Sequence, residues 1–389
     1  MTARTRIWVL VVSTPVIAFA IIGGYLGQAM TRDETMRNLR IFEDVVQLVV
    51  ENYVEDVDVR KAMAGALRGL TDGLDADSAY LTPALVKTFE SNTTPPAGDV
   101  GIDLTRQYYL RIVSARDGSP AAKAGLRTGD YIRAIDGRPT RDMSAYEGAH
   151  LLRGAPGSKV ALLVFRGNAA EPTEMTIVRE RITGPELTTR MANPTTAYVR
   201  IVEFSSESSA RIRQAFDALA KTGARSYIID LRGTARGDVD HGIAAARLFV
   251  RSGTLAIRET KGGKDTITAA AGSDGSITAR VVLLVDQGTS GAAEVFAAAL
   301  DGNNRTELIG ERTTGRAARQ QLVKLPDGSG LLLSSTRYLS PSSEPIHAEG
   351  LTPDVPVDQP DVELGIEAPP GDPTLDKALE HLTAQPKAA

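Results

Sequence analysis

The chain has no cysteine, which removes disulfides, thiolate catalysis and cysteine-ligated metals together. It has only four histidines, His150, His241, His347 and His381, scattered without an HExxH or paired spacing. That scatter argues against a zinc centre, and each histidine reads as a surface or locally bonded side chain. There is also little net charge. At −4 the chain lacks the basic excess of a broad nucleic-acid-binding surface, so no nucleic-acid partner, no metal and no cofactor is expected. What is present is the balance of a folded chain, 42% hydrophobic and 24% charged over 389 residues, a length that predicts two or three domains.

The clearest physical signal lies at the beginning. Arg4 and Arg6 precede an uncharged stretch from Ile7 to Met30, whose strongest part is Ile7 to Leu26. At 1.5 Å per residue that part spans about 30 Å, the thickness of a bilayer hydrocarbon core. Basic residues ahead of it would keep the N-terminus cytoplasmic and send the remainder across. Residues 1–31 therefore read as a membrane anchor. Gly27-Gln28-Ala29 also offers a small-residue cleavage site, so a removed signal peptide is the competing reading. Either way the bulk is expected in the cell envelope: periplasmic or extracellular behind an inner-membrane anchor, or secreted after cleavage.

Residues 32–96 read as a helical region. Leu39, Phe42, Val45, Val46, Val49 and Val50 form one apolar helical face, and a second helix is expected from Val59 to Leu70. Ser91 to Gly98 is polar and rich in Pro and Gly, hence a linker. Residues 97–182 read as short strands around one or two short helices, with strands at Tyr108–Val113 and Val160–Phe165. From Ala197 strands and helices alternate. Strands are expected at Ala197–Val202, Ser226–Leu231 and Val281–Val285, and helices at Ser208–Lys221, Gly242–Val250 and Ala292–Leu300. That order predicts a βαβ-rich core over 183–366. Residues 367–389 read as a proline-rich join, a short helix at Pro373–Leu382 and a tail. The fold class is α+β multidomain: N-terminal membrane helix, helical segment, β-rich module and βαβ-rich core.

The segment Gly101 to Ile182 resembles a PDZ domain. The matching residues are Gly101-Ile102-Asp103-Leu104, Ser119 to Leu126, Gly129-Asp130 and Ile135-Asp136-Gly137, of which the run SPAAKAGLRTGDYIRAIDG is the specific part. A glycine-started loop feeding an edge strand leaves amides free to hold a terminal carboxylate while the strand accepts a peptide. The N–H groups of Ile102, Asp103 and Leu104 would do this, so protein C-terminal peptides are the expected partners.

The remainder resembles the C-terminal processing (tail-specific) serine peptidases. Asn52-Tyr53-Val54, Leu74 to Leu81, Ile229 to Gly233, Gly310 to Gly315 and Gly350 to Val355 match in order. The resemblance implies a serine endopeptidase with a Ser–Lys dyad, and there the sequence departs. The nucleophile motif S-A-S-A-S-E reads Thr289 to Glu294 and places Gly291 at the serine. The lysine motif G-K-G-x-x-Q reads Gly315 to Gln320 and places Arg316 at the lysine. Arg316 follows Gly291 by 25 residues, the family's own separation, so no gap is needed. The family's N-P-G-G oxyanion loop reads Thr234-Ala235-Arg236-Gly237.

Glycine has no nucleophile, and arginine does not give up its proton to act as a base. Expected site remnants are Ser290, Gln320 and Gly237, with Ser290 also readable as the cap of the helix starting near Ala292. The resulting expectation is a membrane-anchored, tail-binding pseudo-peptidase. Two alternatives stand beside it: an active endopeptidase using Ser290, and a small-ligand carrier, since interphotoreceptor retinoid-binding proteins resemble the same core.

Overall fold

The computed structural model describes residues 34–91, 94–167, 171–270, 272, 274–360, 362–366 and 369–384. The apolar stretch Ile7–Leu26 lies outside them, and among the described residues no helix is long and apolar enough to cross a membrane. The chain divides into a small unit ending at Leu67 and a large one from Arg68 onward. In the small unit a helix runs over 34–52, and the apolar residues Leu39, Phe42, Val45, Val49 and Val50 are exposed.

The large unit is organised on a six-stranded sheet. Its order is Leu187–Met191, Thr196–Ile201, Ser226–Asp230, Arg280–Val285, Leu308–Gly310 and Val355–Pro356, parallel throughout except for the first pair. Parallel strands are covered on both faces and so read as continuous apolar runs, as Arg280–Val285 does. Its Val281, Leu283 and Val285 face one cluster with the helices Ser208–Lys221, Val239–Ala246 and Ala292–Asp301. Its Val282 and Leu284 face another, covered by Ala378 and Leu382 of the helix Pro373–Ala384. Residues 292–300 are all buried, the mark of an internal helix rather than an amphipathic one.

A second, five-stranded sheet joins Gly253–Thr260, Gly263–Ala269, Ala318–Lys324 and Gly330–Leu339 with Ala79–Leu81. The region read as helical thus also contributes a strand to the core, its Ala79, Tyr80 and Leu81 all buried. The helix expected at Gly242–Val250 begins earlier, at Val239, because the Asp238 side chain caps it by accepting the Asp240 N–H.

The third sheet is the β-rich module, ordered Ile102–Gln107, Tyr109–Ala115, Tyr131–Ile135, Lys159–Phe165 and Thr173–Val178. Ile102–Gln107 is its edge, beside the helix Ala145–Leu152. Gly148 lets that helix approach, since a Cβ there would stand 2.3 Å from Leu110 Cδ1. Tyr108, expected within a strand, is instead the hairpin corner at φ +68° and is exposed.

The module docks on the core through polar contacts. Arg116 pairs with Glu203, Arg200 with Asp117, and Arg111 Nη2 donates to Gln287 Oε1 at 2.7 Å. Gly288 marks the closest approach: a Cβ there would meet Thr128 Oγ1, Gly233 Cα and the Val113 carbonyl within 2.8 Å.

Candidate functional site

Three segments converge beyond the carboxyl ends of the parallel strands, where open α/β sheets place their sites. Gly233–Gly237 follows Ser226–Asp230, Thr289–Gly291 follows Arg280–Val285, and Thr313–Arg316 follows Leu308–Gly310. Hydrogen bonds tie the first two together. Thr289 Oγ1 donates to the Leu231 carbonyl at 2.9 Å, the Ser290 amide to the Thr234 carbonyl at 3.0 Å, and the Gly233 amide to Asp286 Oδ1 at 2.8 Å.

Glu294 ties in the third. Its carboxylate accepts the amides of Gly291, Gly315 and Arg316 at 2.9, 2.6 and 2.8 Å and the Thr313 hydroxyl at 2.5 Å. Complete burial pushes its carboxyl above the ordinary range, against the pull of these four bonds. Glu294 aligns with the glutamate of the nucleophile motif, and the structure makes it the clamp that brings residues 291 and 316 together.

At the turn itself Gly291 has φ +62° and ψ −116°, which a side-chain-bearing residue adopts only under strain. The space is open, however: a Cβ at 291 would meet nothing nearer than the Arg316 carbonyl at 3.9 Å. The helix cap is Gly291, its amide held by Glu294, so Ser290 does not cap the helix as the sequence suggested. Ser290 is only 2% exposed, and among the described residues its hydroxyl takes no hydrogen bond to a base.

Arg316 makes a two-point contact with Asp77: Nε lies 3.0 and 3.1 Å from the two carboxylate oxygens and Nη2 lies 2.7 Å from Oδ1. Burial alone would ease the proton off this guanidinium. The Asp77 charge and its hydrogen bonds outweigh that and hold it above its ordinary value. Asp77 is itself 5% exposed at the side chain, so each group is the other's main compensation.

The edge of the β-rich module completes the site. Gly101 has φ +81°, and a Cβ there would collide with Ser119 Cβ at 2.4 Å, so this turn requires glycine. Strand pairing already begins at Ile102. Amides therefore alternate between the neighbouring strand and the free edge, and the loop offers alternate donors rather than the three consecutive ones expected. Ile102 and Leu104 are buried in the module, while Asp103 turns toward the core. Its carboxylate accepts Ser114 Oγ at 3.0 Å and pairs with Arg236 Nε at 2.9 Å to both oxygens. That ion pair holds the Arg236 guanidinium above its ordinary value despite burial.

Gly237 lies at φ +126° with its Cα against the Phe204 backbone, so it is structurally required. Gln320 only reaches Ser334 Oγ at 3.4 Å.

Two cavities flank the Asp77–Arg316 pair, and both are lined by it. One, of about 400 Å³, is bounded by Ile102, Leu104, Tyr146, Arg153 and Arg236 and follows the edge strand. The other, of about 480 Å³, lies among Thr105, Arg106, Arg111, Gln287 and His347. His347 is not a surface histidine: among the described residues neither ring nitrogen has a hydrogen-bond partner, and Nε2 lies 3.9 Å from Asp75 Oδ2. No spacing in the sequence could have found it, nor Asp77 as the partner of Arg316, nor the hold of Glu294 on Gly315 and Arg316, because these partners lie far away along the chain.

Comparison with known proteins places this architecture. Residues 195–357 match the model of peptidase family S41 and residues 111–166 that of the PDZ domain. The chain is 32% identical over 310 residues to a carboxyl-terminal-processing protease of Synechocystis, spanning 78% of this chain and 72% of that protein. It is 29% identical over 373 residues to the carboxy-terminal processing protease CtpA of Bacillus subtilis, spanning 93% and 79%. Among solved structures it superimposes on a photosystem II D1 C-terminal processing protease with a TM-score of 0.69 at 29% identity, covering 79% of this chain and 84% of the other. The chain belongs to the PDZ-containing carboxyl-terminal-processing protease family.

Proposed function

We propose that this family member binds peptide tails and does not hydrolyse them. The observation that carries the reading is the pair of residues brought together by Glu294. Gly291 supplies no attacking oxygen. Arg316, bonded at two points to Asp77, supplies no lone pair to take a proton. Ser290 offers a hydroxyl one residue away, but it is buried and, among the described residues, makes no hydrogen bond to a base. Arg236 stands where the family's oxyanion loop has glycine, and its guanidinium is turned to Asp103 rather than to a developing oxyanion.

The edge strand Ile102–Gln107, the adjoining helix and the 400 Å³ cavity would receive the tail by β-addition. The residue types around the cavity, Ile102, Leu104 and Tyr146 beside Arg153 and Arg236, suit an apolar terminal residue with a free carboxylate. The N-terminal stretch Ile7–Leu26 would hold the protein in the envelope membrane.

The test is a paired assay on the purified full-length chain. Unfolded substrates with apolar C-termini should remain intact, and the same tails should bind better as free acids than as C-terminal amides. Cleavage that disappears in Ser290→Ala would replace this reading with an active endopeptidase. Equal binding of acid and amide would remove the carboxylate from the groove and leave the small-ligand carrier.

A further inference from the structure

A further cavity, of about 430 Å³, opens in the core at the amino ends of the parallel strands, away from the candidate site. Ser276 and Thr278 in its wall lead into the strand Arg280–Val285, and Arg305 precedes Leu308–Gly310. Three guanidiniums line it, those of Arg213, Arg251 and Arg305. Arg213 and Arg251 are exposed, and among the described residues their side chains make no hydrogen bond or ion pair.

Arg305 is half-buried. Its Nε donates to the Phe249 carbonyl at 2.8 Å and its Nη2 to those of Ile277 and Ala279 at 3.1 and 3.2 Å. Its Nη1 has no protein partner and is not among the buried unpaired atoms, so it reaches solvent. Carbonyl dipoles hold this cation, but no carboxylate answers it, and burial pushes the guanidinium below its ordinary value. By contrast the buried Arg200, Arg236 and Arg316 each face a carboxylate and are held above theirs.

The nearby acids do not offset the excess. Asp274, the one carboxylate among the described lining residues, is taken by Arg247 at 3.0 Å and by the Ala270 amide at 2.7 Å. Asp217, one helical turn beyond Arg213, forms no ion pair with it. The rest of the wall is rich in donors. The Gly275 and Ile277 amides donate to the Arg247 and Leu248 carbonyls at 2.7 and 2.8 Å, while the amides and hydroxyls of Ser276 and Thr278 take no protein partner among the described residues. Gly275, at φ +68°, lets this loop lie against Arg251, since a Cβ there would stand 2.5 Å from Arg251 Cα. A phosphate monoester carries close to two negative charges at neutral pH and offers three acceptor oxygens to planar guanidinium forks. It offsets three unpaired cations better than any monoanion, and the volume admits an organic ester rather than a bare ion.

We infer that this cavity is an anion site that takes a phosphate monoester against Arg213, Arg251, Arg305, Ser276 and Thr278. The monoester is borne either on a small soluble molecule or on a lipid headgroup. The site belongs to the core alone and does not depend on whether bound tails are cleaved.

The experiment is calorimetric titration of the full-length chain, in non-ionic detergent at pH 7.5, with three probes. Glycerol 3-phosphate is the soluble monoester. Dihexanoylphosphatidic acid, kept below its micelle concentration, presents the same group on a lipid. Dimethyl phosphate keeps the phosphate geometry with a single charge. At least one monoester should bind roughly tenfold or more tightly than dimethyl phosphate. A lipid probe tenfold tighter than glycerol 3-phosphate assigns the site to a headgroup, and any smaller difference assigns it to a soluble ester.

Arg213→Gln and Arg251→Gln should each weaken monoester binding by roughly tenfold, the lower end for a hydrogen bond to a charged group. Neither should lower the melting temperature, because neither side chain has a protein partner. Arg225→Gln removes an equal charge from an exposed arginine outside the cavity and should leave binding unchanged. The inference is overturned if neither monoester exceeds dimethyl phosphate, or if both cavity variants bind like the parent chain. An Arg225→Gln loss as large as theirs, or a loss of affinity that tracks a loss of stability, would overturn it as well.

Discussion

Restoring the family's dyad should require three substitutions rather than two. Gly291→Ser with Arg316→Lys recreates the expected residues, but the new lysine would inherit Asp77, a carboxylate 5% exposed and now 2.7 Å from the Arg316 guanidinium. A unit charge at about 4 Å and an effective dielectric near 20 is worth about 4 kcal/mol, or about three pKa units in favour of the ammonium. A general base instead needs a lysine brought down to about 7–8. The double variant should therefore cleave nothing measurable. Adding Asp77→Asn removes that charge and should raise the neutral fraction of the introduced lysine by up to about a thousandfold. The assay is cleavage of an unfolded, apolar-tailed substrate by the double and triple variants side by side, with covalent labelling of the introduced serine as a second readout. A double variant as fast as the triple would refute the reasoning. Restored activity should remain below that of an intact family member, because Arg236 still occupies the oxyanion loop.

Other consequences are measurable separately. Gly291→Ser alone should lower stability by about 1–3 kcal/mol in chemical denaturation, because φ +62° and ψ −116° strain any residue with a Cβ even though the space is free. Asp77→Asn in the otherwise native chain should cost about 1–3 kcal/mol, since it leaves the half-buried Arg316 guanidinium without its carboxylate partner. Glu294→Ala should cost at least about 2 kcal/mol, because it leaves the Gly291, Gly315 and Arg316 amides unpaired. Asp301 is pushed up to about 6 by burial, with the Asp354 charge adding to it. Its ionisation therefore opposes folding fully above pH 6, and the penalty fades as pH falls toward 4. Asp301→Asn should accordingly stabilise by about 1 kcal/mol at pH 7.5, after allowance for partial exposure, and by nothing below about pH 4. Denaturation midpoints at the two pH values check the sign.

The parallel core was legible because its strands are buried on both faces and its helices present clean apolar periods. Ser208–Lys221 forms residue for residue as read, with Ile212, Phe216 and Leu219 turned inward. The antiparallel strands Gly263–Ala269 and Ala318–Lys324 gave no comparable signal, since most of their side chains are exposed or half-exposed and polar. In the site, positions 291 and 316 were visible through motif spacing alone. Their meaning was not, because Asp77 lies 239 residues from Arg316 and nothing local announces the partnership. Asp103 was likewise read for its amide, whereas the structure uses its side chain to bridge the β-rich module and the core through Arg236.

The Asp77–Arg316 pair forms part of the wall of both cavities, so neither can be electrically indifferent to the other. An anion that drew the guanidinium toward one side would leave the aspartate less compensated on the other, disfavouring a second carboxylate there and welcoming a cation. Whatever the size of that effect, thermodynamic reciprocity would fix its symmetry: were both cavities to take ligands, each would change affinity for the other by the same factor. A single contact between two side chains would thereby couple ligands that never touch each other.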